Sequence, residues 1–119
     1  MENFLTHFAI NAKDVHRSVE FYKEKLGFIV DDETPEWAEL KMENGNIELA
    51  IKKQFEGDTI GSSGLGFVVK DCRKTTDILK ERGVEIVKDC EHRTRENGVE
   101  YLTQIKDPDG DVIWFVQKQ

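Results

Sequence analysis

The chain has 119 residues, 38% of them hydrophobic, enough for a single domain that buries roughly two thirds of its unfolded surface. Its 24 acidic residues outnumber its 17 basic ones, and the formal charge of −7 repels a phosphate backbone, so nucleic acid is not an expected partner. No stretch approaches the roughly 18 apolar residues of a membrane span, and "MENFLTHFAIN" carries neither a basic n-region nor an apolar h-region, so a cytoplasmic chain with no membrane partner is expected. Cys72 and Cys90 lack metal-like spacing and are expected as two reduced thiols.

In chain order, "NFLTHFAINA" alternates as a strand does, with Leu5, His7, Ala9 and Asn11 on one face and Phe4, Phe8 and Ile10 on the other. Asp14 is an N-cap, and Val15, Val19, Tyr22 and Leu26 recur at helical spacing before Gly27, which suits a left-handed C-terminal position. "FIVDDE", "EWAELKM" and "NIELAIKK" read as three strands, the last two joined by Asn44-Gly45, a hairpin signal. The polar stretch that follows, about 54–63, has no periodicity and reads as a linker.

The same order then begins again. "LGFVVKD" is a strand, "CRKTTDILKERG" a helix opened by Asp71 and closed by Gly83, and "VEIVKDCE", "VEYLTQI" and "DVIWFVQ" are three more strands. Before the last of them, "DPDG" is a type I turn in which Asp107 caps, Pro108 pre-sets φ and Gly110 closes. The expected architecture is α+β: two βαβββ modules in one domain spanning 1–119, the first about 1–53 and the second about 64–119. "HRTR", from His92 to Arg95, is a short basic knot that reads as solvated surface.

"LTHFAINAKDVHRSVEFYKEKLGF", taken with the closing "DPDGDVIWF", resembles the glyoxalase, bleomycin-resistance and extradiol-dioxygenase superfamily, the vicinal oxygen chelate proteins. The resemblance covers nearly the whole chain. It implies paired modules whose mixed sheet curls around a cleft, with subunits associating as homodimers. In metal-dependent members such as glyoxalase I, a divalent ion is held from four places, two in each module. Two of these fall on His7 and on Glu48 of "NIELAI"; the other two fall on Leu65 and Trp114.

Leucine has no lone pair to offer, and the indole nitrogen is a donor only. With His7 and Glu48 as the sole matching ligands, no resident cofactor is expected, and a divalent metal would be held weakly. Without the family pattern, His7 would read as a satisfied core histidine, Glu48 as a sheet-edge carboxylate reaching water, and Trp114 as core filler.

Strand alternation puts Leu65, Phe67 and Val69 on one face, and if Trp114 faces the cleft with Leu65, Tyr101 and Thr103 join them, with Trp37 closing one end. His7, Asn11 and Glu48 would form the opposite wall. Such a pocket suits a small organic molecule with a flat ring or a cationic group. Two classes of function follow: capture of such a molecule without a complete metal site, or a metal-dependent lyase, isomerase or dioxygenase of the same superfamily using His7 and Glu48, with Glu48 as its catalytic base. Phosphate loops and nucleophile elbows do not occur in the sequence.

Overall fold

In a computed structural model of the protein, which describes residues 2–3, 5–45 and 47–119, the elements run β1 (His7–Ala12), α1 (Val15–Leu26), β2 (Ile29–Glu33), β3 (Trp37–Lys41) and β4 (Glu48–Lys53). They continue with β5 (Gly64–Val68), α2 (Cys72–Glu81), β6 (Ile86–Arg95), β7 (Gly98–Lys106) and β8 (Val112–Lys118). The fold is α+β, and βαβββ occurs twice. One compact unit runs up to Gly61 and the other from Ser62 to Gln119. No helix among the described residues is long and apolar enough to cross a membrane.

Each helix begins where an aspartate accepts an amide that has no partner in the helix ladder. Asp14 Oδ1 takes Arg17 N at 3.1 Å, and Asp71 Oδ1 takes Lys74 N at 3.0 Å. Both end next to a left-handed glycine, Gly27 and Gly83, each at φ 78°, where a side chain would strain the backbone.

In the first unit the strand order is β1-β4-β3-β2, and in the second β5-β8-β7-β6. The outer pairs β1/β4 and β5/β8 are parallel and the rest antiparallel. One face of each sheet is the core face. In the first unit it carries Ile10, Ala12, Ala38, Leu40, Leu49 and Ile51, all buried along with Val15, Val19 and Tyr22 of α1. Each large side chain fully removed from water there contributes about 1.5–3 kcal/mol. In the second unit Thr103, Ile105, Ile113 and Phe115 are buried on the face that meets Cys72 and Thr76 of α2.

Several boundaries differ from the sequence expectation. β1 starts at His7 rather than at residue 3, and Phe4, assigned to its apolar face, lies outside the described residues, as do Met1 and Asn46. β3 and β4 do form an antiparallel pair. Their turn is closed by Gly45 N donating to Met42 O at 3.0 Å, and neither Asn44 nor Gly45 has positive φ, so this is not the two-residue Asn-Gly turn. The linker is partly built into the first unit: Asp58 Oδ2 accepts from Phe55 N at 3.0 Å and from Lys52 Nζ at 2.5 Å. β6 extends through the basic knot to Arg95, past register shifts between Ile86 and Glu91 that include Cys90 at φ 48°.

Candidate functional site

The uncovered face of the first sheet is built by strand register. His7 stands directly beside Glu48, Ala9 beside Ala50, and Asn11 beside Lys52; across β3 the same rows continue to Glu39 and Trp37. Residues opposite one another in a ladder project to the same side, so His7, Asn11, Trp37 and Glu48 share this face; strand alternation in the sequence groups His7 with Asn11. Trp37 belongs to the row of Lys52, yet its ring lies 6.1 Å from that of His7 at 78°. Its indole therefore runs back over the Ala9–Ala50 row. Ala50 points to this face and is still fully buried, and the indole Nε1 donates to Glu39 Oε1 at 3.1 Å. Asn11 spends its amide on Thr59 O at 2.9 Å and so ties the linker down.

In the second unit four sequence assignments need correction. Leu65 pairs with Ile113, and Phe67 with Phe115, on the core face; Phe67 and Phe115 stack with centroids 5.3 Å apart. Trp114 pairs with Gly66 on the other face. Leu65 and Phe67 therefore do not share a surface with Trp114, because neighbours one residue apart in register project oppositely. Tyr101 and Thr103 are likewise on the core side of β7. Thr103 is fully buried and meets Thr76 Oγ1 at 2.5 Å, Cys72 Sγ at 3.2 Å and Cys90 N at 3.1 Å, and Tyr101 packs against His92 at 5.4 Å. The Thr103 hydroxyl thus serves the core rather than a ligand.

The chain's own repeat shows where the count slipped. His7 precedes Asp14 by seven residues, and the residue at the same distance from Asp71 is Gly64, one place before Leu65. A Cβ at Gly64 would collide with Trp114 Cζ3 and come within 2.9 Å of Cη2. The indole thus lies across the glycine, in the space a side chain on β5 would need. A Cβ at Gly66 would meet nothing within 4 Å.

Beside the indole is a depression of about 390 Å³ lined by Gly66, Arg93, Arg95, Glu100, Leu102, Trp114 and Val116. Trp114 remains 37% exposed there. The two arginines were read from sequence as plain solvated surface. Alternation within "HRTR" is the signal that puts both on one face, but the register shifts upstream hide which face it is.

The closing turn forms as the sequence indicated, with Gly110 N donating to Asp107 O at 3.1 Å and Asp107 Oδ1 accepting from Asp109 N and Asp111 N, each at 2.9 Å. Asp111 is buried, takes Ser63 N on Oδ1 at 2.9 Å, and leaves Oδ2 without a hydrogen-bond partner. Burial, with the Asp107 charge beside it, pushes its carboxyl up to about 6. Cys72 and Cys90 are both free thiols, and burial next to Cys72 pushes the Cys90 thiol up to about 11.

These positions can be tested against the divalent ion of the metal-dependent relatives. His7 and Glu48 are direct neighbours and both have lone pairs. The matching pair in the second unit, Gly66 and Trp114, has none, and neither has Gly64. Among the described residues no three His, Cys, Asp or Glu side chains gather where they could hold an ion. The donor set does not fit a resident divalent metal.

Comparison with known proteins agrees with this geometry at the level of fold. The family model described as the glyoxalase/bleomycin resistance protein/dioxygenase superfamily matches residues 4–115. An uncharacterized protein of Bacillus subtilis strain 168, YraH, is 30% identical over 129 aligned positions that cover 92% of this chain and 94% of that protein. Among solved structures, the virulence protein STM3117 of Salmonella typhimurium superposes with a TM-score of 0.81 at 24% identity, covering 100% of this chain and 99% of its own. TnmS3, an antibiotic binding protein from Streptomyces sp. CB03234, gives 0.79 at 23% identity, covering 99% and 98%. With a family match over nearly its full length, the chain belongs to the glyoxalase/bleomycin resistance protein/dioxygenase superfamily.

Proposed function

We propose that this protein captures a small, flat organic molecule against Trp114 on the uncovered face of its second sheet, with no resident metal ion and no bond changed. The observation that carries this reading is the indole itself: it lies across Gly64, stays 37% exposed and borders an open depression. An exposed indole presents a flat apolar surface and a ring quadrupole, which suit stacking with another ring. The name of TnmS3, an antibiotic binding protein of the same fold, supports capture as a role.

A second reading, a lyase, isomerase or dioxygenase in which Glu48 moves a proton beside His7, draws on the direct pairing of those two residues. We place it second because the second unit contributes no matching donors. The proposal extends to a cytoplasmic homodimer. Two free thiols suit a reducing compartment. Val68, 76% exposed on edge strand β5, is an apolar side chain that a second copy would cover.

A thermal-shift series tests the reading, with planar aromatic compounds in one arm and zinc, nickel and manganese in the other. Aromatic compounds should raise the melting temperature of the unaltered protein and fail to do so for Trp114→Ala, while the metals move neither. Stabilisation by a metal but by no aromatic compound would put the enzyme first.

A further inference from the structure

The depression beside Trp114 has an unbalanced charge. Arg93 stands opposite Glu100 in the β6/β7 ladder, but Glu100 Oε1 is taken by Arg95 Nε at 2.5 Å. On the other side of β7, Lys118 is the cross-strand neighbour of the same glutamate. Three cations thus surround Glu100, and Glu91, beside Leu102, is the next carboxylate on this face, so the cations still outnumber the carboxylates. Among the described residues Arg93 has no ion-pair partner, although it is half-buried beside the indole and Leu102, itself only 3% exposed.

A half-buried guanidinium next to apolar surface interacts with an anion more strongly than one in bulk water, because the local dielectric is lower and screening weaker. Its planar fork matches the two oxygens of a carboxylate. This local excess sits on a chain of formal charge −7, where a basic patch is not a consequence of overall composition. Across the same depression, the open space above Gly66 lets a flat ring approach the sheet alongside the indole.

We infer that the captured molecule is an aromatic carboxylate, its ring against Trp114 above Gly66 and its carboxylate on Arg93. The inference rests on the capture reading above and gives its ligand a charge. It also departs from the cationic ligand that Glu48 alone would favour, since the depression beside the exposed indole is lined by two guanidinium groups against one carboxylate.

Three probes of one shape separate the contributions: 2-naphthoate, the neutral 2-naphthamide and the cationic 2-naphthylmethylammonium, each titrated calorimetrically into the full chain. Naphthoate should bind at least tenfold more tightly than the amide, with an affinity that falls as salt rises, and the cation should bind weakest. Arg93→Met should bring naphthoate down to the level of the amide and leave the amide unchanged, and Arg93→Lys should retain part of the preference. A circular dichroism melt of each variant confirms that it folds. Equal binding of naphthoate and amide, or a preference that survives Arg93→Met, overturns the carboxylate assignment; if Trp114→Ala then abolishes binding of the amide, capture at the indole stands without it. Binding of none of the three probes overturns both.

Discussion

The two sheets share a strand order and each has one face turned to the core, yet their other faces carry different cross-strand pairs, of which one bears most on the site. In the first unit that pair is His7 beside Glu48; in the second it is Gly66 beside Trp114. Both faces carry an indole laid over a small residue, Trp37 along the row of Ala50 and Trp114 over Gly64. The strand that supplies the indole decides the rest. From β3, the Trp37 ring reaches toward the polar pair and leaves both of its members in place. From β8, the Trp114 ring stands beside Gly66 and lies over the backbone at Gly64. One sheet thus carries a polar pair where the other carries an aromatic surface, so fold alone does not settle chemistry.

If this division between core face and open face is right, substitutions on the two faces should fail in different ways. Phe67→Ala removes a ring stacked on Phe115 and should destabilise the fold by about 2 to 4 kcal/mol. Trp114→Ala, on the open face, should cost far less in urea unfolding but should abolish capture of aromatic compounds. Equal destabilisation by both would break the distinction.

Asp111, which fastens the start of the second unit through Ser63, adds a pH dependence to that unit. Its carboxyl holds a proton more tightly in the folded chain, at about 6 against an ordinary 3.8. The stabilisation is therefore fully present below 3.8 and is lost as pH rises through about 6. Asp111→Asn should stabilise the protein at pH 7 by on the order of 2 kcal/mol and flatten the stability profile between pH 4 and 7. Urea midpoints across that range measure it; an unchanged profile would contradict the burial argument.

A smaller effect sharpens the comparison further. Gly66→His with Trp114→Glu rebuilds in the second unit the pairing that His7 and Glu48 make in the first, and should raise zinc affinity about tenfold, roughly 1.4 kcal/mol. Leu65→His with Trp114→Glu should give no such gain, because Leu65 projects to the core face with Ile113. Calorimetric zinc titration of the two double variants distinguishes them.

Much of this was legible in the sequence. Asp14, Gly27, Asp71 and Gly83 punctuate the helices through local chemistry, which sequence displays directly, and the repeat of that punctuation revealed the two βαβββ units. The faces of the first unit were legible too, since β1 and β4 run without irregularity from His7 and Glu48. In the second unit a one-residue slip on β5 moved Leu65 and Phe67 to the wrong surface, as any odd shift in a period-two pattern must. Tyr101 and Thr103 were misplaced with them, because their side was inferred from that of Leu65. Arg93 was missed for another reason: the register shifts around Cys90 break the alternation just before it, and no count along β6 passes through them unchanged.

The proposal of capture without a resident metal ion rests on the second unit, whose cross-strand pair Gly66 and Trp114 carries no lone pair for a metal. The direct measurement is to strip the unaltered protein with chelator, reload it with zinc, nickel or manganese, and determine bound metal per chain after gel filtration. The account predicts that the ions wash away, and that His7→Ala and Glu48→Ala behave as the unaltered protein does. One ion held tightly per chain, and released by either substitution, would contradict it.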